Sequence, residues 1–162
     1  MRIWITTVGW SYFAVINTLW AACFNEKEKF IPDKIILLNN GEQNERIREN
    51  VLIVEKWMKK ILLEYGREDI EIDKININEN NIKEYHDILK NLIEKYQDSE
   101  IAIDMTPGRK YMSSIAMGLA LTNRKIVNKL YYLHLEIQGY QDSPFIKIPL
   151  PFQNLINILE LS

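Results

Sequence analysis

Two short stretches of this chain carry residue types suited to holding an anion: TTVGWSYF, from Thr6 to Phe13, and DMTPGRKYM, from Asp104 to Met112. Each contains a glycine and hydroxyl groups, and each lies between an apolar run that reads as a strand and a segment that reads as a helix. At such a turn the first helical N–H groups lack partners within the helix, and the helix dipole adds positive character. Helix starts of this kind bind phosphates and carboxylates. Lys110 adds a point charge and Arg109 a planar fork of donors. A cation in the first helical turn opposes the dipole at a cost of a few tenths of a kcal/mol, roughly, so Lys110 points to a bound anion.

The candidate ligand residues are Thr7, Gly9, Trp10 and Ser11 in the first turn, and Asp104, Thr106, Pro107, Gly108, Arg109 and Lys110 in the second. Trp10, in the turn itself, can stack on a base. Many of these residues also fit plain structural duties. Thr106 suits a helix N-cap with Pro107 in the first helical position, and Ser11 suits the N-cap of the first helix. Asp104 fits a turn carboxylate that accepts from backbone N–H groups, and Arg109 fits a solvated surface.

The elements that must position these turns follow from hydrophobic periodicity. Strands are expected at Ile3–Thr7, Lys34–Asn40, Asp69–Ile77 and Glu100–Asp104, with helices at Ser11–Phe24, about Glu42–Tyr65, Asn81–Tyr96 and Pro107 to about Asn123. Gly66 sits where a helix C-cap favours glycine. Strict alternation in DIEIDKINI predicts a half-exposed strand near a sheet edge. Lys129–Ile137 and Phe145–Leu150, joined by the turn-rich GYQDSP, read as a closing antiparallel hairpin, and Phe152–Leu161 as a final short helix. The fold class is α/β: a Rossmann-like, mostly parallel sheet with helices on both faces and a C-terminal antiparallel β-hairpin. The whole of 1–162 reads as one domain. In such a sheet ligands bind beyond the carboxyl ends of the strands, where strand order reverses. With the first and fourth strands as central neighbours, the two turns line that crevice.

Composition and missing motifs narrow the function. The chain has 162 residues and a formal net charge of −2, so there is no global basic field for tracking duplex DNA. With a single cysteine, Cys23, and His86 and His134 far apart, no disulfide framework or zinc site is expected. No apolar run is long enough to cross a bilayer and no leader peptide is recognisable, so a cytoplasmic protein without a metal or other cofactor is expected. The first strand is followed by no GxGxxG, GRKYMSS lacks P-loop spacing, GWSYF is no GxSxG elbow, and Asp104 lacks the acidic companions of a phosphoacceptor site.

TTVGWS after the first strand, together with the D-x-T-x-G-x-K-x-M pattern of DMTPGRKYM after the fourth, resembles the CARF domain, the CRISPR-associated Rossmann fold. The resemblance extends over nearly the whole chain. It implies a homodimer that binds a cyclic oligoadenylate second messenger of type III CRISPR signalling, most often the four-membered ring, across its interface. It further implies either a sensor that controls a fused or partner effector, or a ring nuclease that cuts the ring without a metal to linear products ending in a 2′,3′-cyclic phosphate. By position, the catalytic residues of the latter correspond to Ser11 and Lys110, and Trp10 or Tyr12 would pack on adenine. The 162 residues contain no effector motif, so the resemblance leaves two expectations: a stand-alone ring nuclease, or the sensor portion of a longer effector.

Overall fold

The computed structural model describes residues 1–161. Its six-stranded sheet runs β3-β2-β1-β4-β5-β6. The strands are β1 (Arg2–Val8), β2 (Lys34–Asn39), β3 (Glu71–Asn76), β4 (Glu100–Asp104), β5 (Val127–Leu135) and β6 (Gln153–Asn157), and the helices are α1 (Tyr12–Phe24), α2 (Glu45–Glu64), α3 (Ile82–Lys95) and α4 (Lys110–Thr122). The first five strands are parallel, while β6 pairs antiparallel with β5. This is the expected α/β Rossmann-like architecture, with β1 and β4 as central neighbours.

Sequence dictates which side each helix covers. Along β1, Trp4 turns to one face and Ile3 and Ile5 to the other, and all three are buried. The Trp4 face packs against Ile16 and Leu19 of α1 and Val54, Met58 and Leu62 of α2. The isoleucine face packs against Leu89 and Ile93 of α3 and Met112, Ala116 and Ala120 of α4. From β1 the chain proceeds outward through α1 and α2, and from β4 it proceeds the other way through α4. Right-handed crossovers then require helices on opposite faces. The alternating strand β3 lies at the edge, as its pattern predicts.

Local chemistry sets the helix ends. The side chains of Ser11, Asn44 and Asn81 accept from the backbone N–H groups of Ala14, Ile47 and Glu84 and cap α1, α2 and α3. Gly66, at φ +81°, closes α2 as expected. Two expectations need correction. Helix α4 begins at Lys110, so Thr106 is not its N-cap and Pro107 is not helical. Gly108, between Pro107 and the helix start, has φ +94°, a left-handed conformation that a right-handed helix cannot contain.

The hairpin is present, but its second strand is β6 and not Phe145–Leu150. The latter stretch contains a 3-10 turn at Phe145–Lys147 and enters another at Leu150–Phe152. Pro144, Pro149 and Pro151 remove the N–H groups that a ladder there needs. Phe145 instead anchors the connector, its ring 5.5 Å from that of Phe24 and 5.9 Å from that of Trp20. Asn17 fixes the same connector, accepting from Phe145 N–H at 2.8 Å and donating to the Ser143 carbonyl at 2.9 Å. The helix expected over Phe152–Leu161 is therefore β6 followed by a 3-10 turn, Ile158–Glu160. Side-chain spacing misleads here because β5 offers an open edge, which five residues of β6 satisfy by hydrogen bonding.

Candidate functional site: the crevice between the two central turns

The turns after β1 and β4 meet backbone to backbone. A Cβ on Gly9 would lie 3.2 Å from the amide nitrogen of Gly108. One on Gly108 would lie 3.1 Å from Met112 Sδ and 3.4 Å from Thr7 Cγ2. The glycines thus allow an approach that a side chain at either position would crowd. Around this meeting point lies a cavity of about 240 Å³, lined among others by Thr7, Gly9, Trp10, Ser11, Thr106, Pro107, Gly108 and Arg109. A neighbouring cavity of about 350 Å³ shares Trp10, Ser11, Ala14 and Thr106 and extends to Arg46, Tyr140 and Asp142. Together they form a crevice along the carboxyl ends of the central strands.

Below the crevice a buried polar network holds the floor. Thr6 Oγ1 donates to Asp104 Oδ2 at 2.9 Å, and Thr106 N–H donates to Asp104 Oδ1 at 2.9 Å. Thr106 Oγ1 in turn accepts from Leu133 N–H at 2.9 Å and from Thr18 Oγ1 at 3.1 Å. Thr7 Oγ1 shares a hydrogen bond with the Tyr85 hydroxyl at 3.1 Å. Asp104 is sealed beneath the surface, and burial pushes its carboxyl up to about 7 against the hydrogen bonds from Thr106 and Thr6. It is a structural acceptor in this arrangement and has no open path to a ligand.

Other expected site residues fall in different places. Tyr12 is half-buried, its ring 4.6 Å from that of Phe13, on the side of the α1–α2 core. Lys110 is exposed at the start of α4, outside the residues that line either cavity. Arg109 reaches across the crevice mouth to Glu79, with Nε 2.9 Å from Oε2, and Tyr111 donates to the Glu79 carbonyl at 2.7 Å. Its charge is thereby matched by a carboxylate. The Arg109 side chain makes no capping hydrogen bond at the start of α4, whereas the other three α-helices have polar caps. Arg109 N–H instead donates to Met112 Sδ at 3.5 Å, and Met112 N–H donates to the Arg109 carbonyl at 2.9 Å.

The first turn is held from α2. Asn50 Nδ2 donates to the carbonyls of Gly9 at 2.9 Å and Trp10 at 3.1 Å, and Arg46 Nη2 donates to Trp10 at 3.2 Å. The Arg46 guanidinium also covers the Trp10 ring at 4.5 Å from its centroid, leaving the indole 54% exposed. Sequence reasoning misses Arg46, Asn50 and Glu79. Glu79 lies in a polar turn without a motif, and Arg46 and Asn50 occupy one amphipathic helix whose facing partner only the fold reveals. A cation in the first turn of α2 is the one signal that points to Arg46.

No protein-family model matches the chain, and no curated protein matches it in sequence. Solved structures do match in fold. Csm6 of Enterococcus italicus, in a structure bound to cyclic hexa-2′-fluoro-hexa-dAMP, superposes with a TM-score of 0.67 and 16% identity over 99% of this chain. Can2 of Sulfobacillus thermosulfidooxidans, in complex with cyclic tetra-adenylate, superposes with a TM-score of 0.55 and 14% identity over 82% of this chain. The chain shares the Rossmann-like α/β fold of these two proteins. It spans less than half the length of either protein, 43% of the first and 32% of the second. Among the described residues no helix is long and apolar enough to cross a membrane.

Proposed function

We propose that the crevice binds a cyclic oligoadenylate, with two copies of the chain each contributing one crevice to a ring that lies on their two-fold axis. The observation that carries this reading is the crevice at the β1/β4 switch point, formed by the close approach of Gly9 to Gly108 beside the start of α4. Two proteins that share the fold were solved with such rings. A cavity of about 240 Å³ is at the small end for a ligand site and fits part of a ring rather than the whole. A symmetric ligand and a symmetric pair of subunits then match. The biological setting that follows is type III CRISPR signalling in antiviral defence, with an effector on the same chain or a partner reading the bound state.

The site is suited to holding the ring more than to cutting it. Cleavage by the RNA 2′-hydroxyl needs in-line alignment and charge stabilisation, and a general base accelerates it. Ser11 lines the crevice and Lys110 lies beside it, so both remain the groups to test for slow, metal-independent cleavage. Of the carboxylates near the crevice, Glu79 is paired with Arg109, Asp104 is sealed below, and Asp142 lines the second cavity.

The test is to titrate the protein with cyclic tetra-adenylate and cyclic hexa-adenylate by calorimetry, then incubate each mixture in EDTA and resolve the products by mass. Binding with an intact ring is the expected result. Linear products carrying a cyclic phosphate would make it a ring nuclease, and absence of binding to both rings would overturn the reading.

A further inference from the structure

Two arginines line the crevice, and they differ in their partners. Arg109 is matched by Glu79. Arg46 has no ion-pair partner among the described residues, although Asp142 lines the same cavity. Among the described residues its side chain makes one hydrogen bond, from Nη2 to the Trp10 carbonyl, which leaves other donors of its five-donor fork without a protein acceptor. The position is also unfavourable for a plain surface cation. Arg46 lies in the first turn of α2, where a positive charge opposes the helix dipole. Helix stability does not account for it there.

We propose that Arg46 is a phosphate-binding residue of the crevice, and that the Trp10–Arg46 stack is a clamp for one nucleotide: the open indole takes the base and the guanidinium takes its phosphate. This rests on the reading of the crevice as a cyclic oligoadenylate site. The geometry supplies both halves. The guanidinium plane covers the Trp10 ring at 4.5 Å, which restricts the indole without occluding it, and the ring remains 54% exposed. Trp10 belongs to both cavities and Arg46 to the second, so the stack stands where the two join. Asn50 fixes the backbone carbonyl of Trp10 independently, so Arg46 can turn its donors to a phosphate without releasing the loop. The planar fork matches phosphate oxygens, and an ammonium at the same place would do so as a point charge only.

The experiment compares wild type, Arg46→Ala and Arg46→Lys by calorimetric titration with cyclic tetra-adenylate and cyclic hexa-adenylate at several salt concentrations, after melting curves establish that all three fold. Arg46→Ala is expected to bind the preferred ring about tenfold more weakly. The slope of log affinity against log salt should become shallower by about 0.7 for each phosphate that Arg46 neutralises. Arg46→Lys should keep the wild-type slope and recover part of the affinity. Wild-type affinity and slope in Arg46→Ala would overturn this inference alone and leave the ring site standing. Weaker binding with an unchanged slope would also overturn it, marking Arg46 as a prop for the Trp10 loop. If wild type binds neither ring, the inference falls together with the proposed function.

Discussion

At the amino ends of the strands the charges are paired. Arg2 Nε meets Glu100 Oε2 at 2.8 Å, Arg67 meets Asp33 at 2.8 Å, Lys34 meets Glu71 at 2.6 Å and Asp73 at 2.8 Å, and Lys129 meets Glu28 at 2.6 Å. At the carboxyl ends the central turns present an exposed indole and Arg46 beside the Arg109–Glu79 pair, while Asp104 is buried without a cation. The same sheet thus has an end whose charges satisfy one another and an end where Arg46 has no ion-pair partner among the described residues. A self-satisfied belt contributes to stability and register, and leaves few groups free for a ligand. An open end gives up some stability, because it keeps the Arg46 donors and the Trp10 indole in place for binding.

Two carboxyl groups, Asp104 at the open end and Glu160 at the belt, should respond oppositely to pH. Asp104 has a folded pKa raised to about 7, so the folded state holds its proton more tightly than the unfolded chain. Its contribution is fully present below about pH 4 and is lost as pH rises through about 7, a change of up to about 4 kcal/mol. Asp104→Asn should flatten that decline in urea unfolding curves recorded from about pH 4 to about pH 8. An equal slope in both proteins would show that Asp104 is not the desolvated acid described. At the belt, hydrogen bonds from Asn157 and then Lys129 hold the Glu160 carboxyl below its usual range, so its contribution is present at neutral pH and fades only in acid.

A second test concerns the backbone of the open end. Gly108→Ala places a side chain at φ +94° and 3.1 Å from Met112 Sδ. It should cost about 1–3 kcal/mol in unfolding free energy and weaken ring binding as well. Wild-type stability would mean that the turn relaxes freely. Trp10→Ala separates the two quantities. Affinity should fall by about 1–3 kcal/mol for the base that stacks there, with the melting temperature almost unchanged because the ring is mostly solvated. An unchanged titration would remove Trp10 from the site.

The smallest effect belongs to the belt. Lys34→Met should cost about 1 kcal/mol, because the partner carboxylates are partly solvated, and leave ring affinity as it is. Hydrogen bonds that Lys34 donates to Asp73 and then Glu71 hold its ammonium above its ordinary range. Its contribution is therefore complete below about pH 10 and declines as pH rises further, so the difference from wild type should narrow in strong alkali. A lowered ring affinity in Lys34→Met would show that the two ends are coupled rather than independent.

Periodicity and turn chemistry make the α/β alternation legible, along with the central β1 and β4 turns and the edge position of β3, because each is a local property of neighbouring residues. The same local information misplaces the start of α4, since Thr106-Pro107 has the form of a cap and first turn while the tertiary hydrogen bonds of Thr106 to Thr18 and Leu133 draw it into the floor. It also misassigns the hairpin's second strand, where the prolines outweigh the alternation of FIKIPL. Residue types alone nominate Ser11, Gly9, Gly108 and Lys110 as a set. Only the fold decides that Asp104 is sealed, that Arg109 belongs to Glu79, and that Arg46 and Asn50, some 40 positions from Trp10 in sequence, hold the first turn. Spacing along a chain reports which residues share a strand or a helix face. Which charges meet across elements depends on crossover direction and packing, and those are settled only when the sheet is assembled.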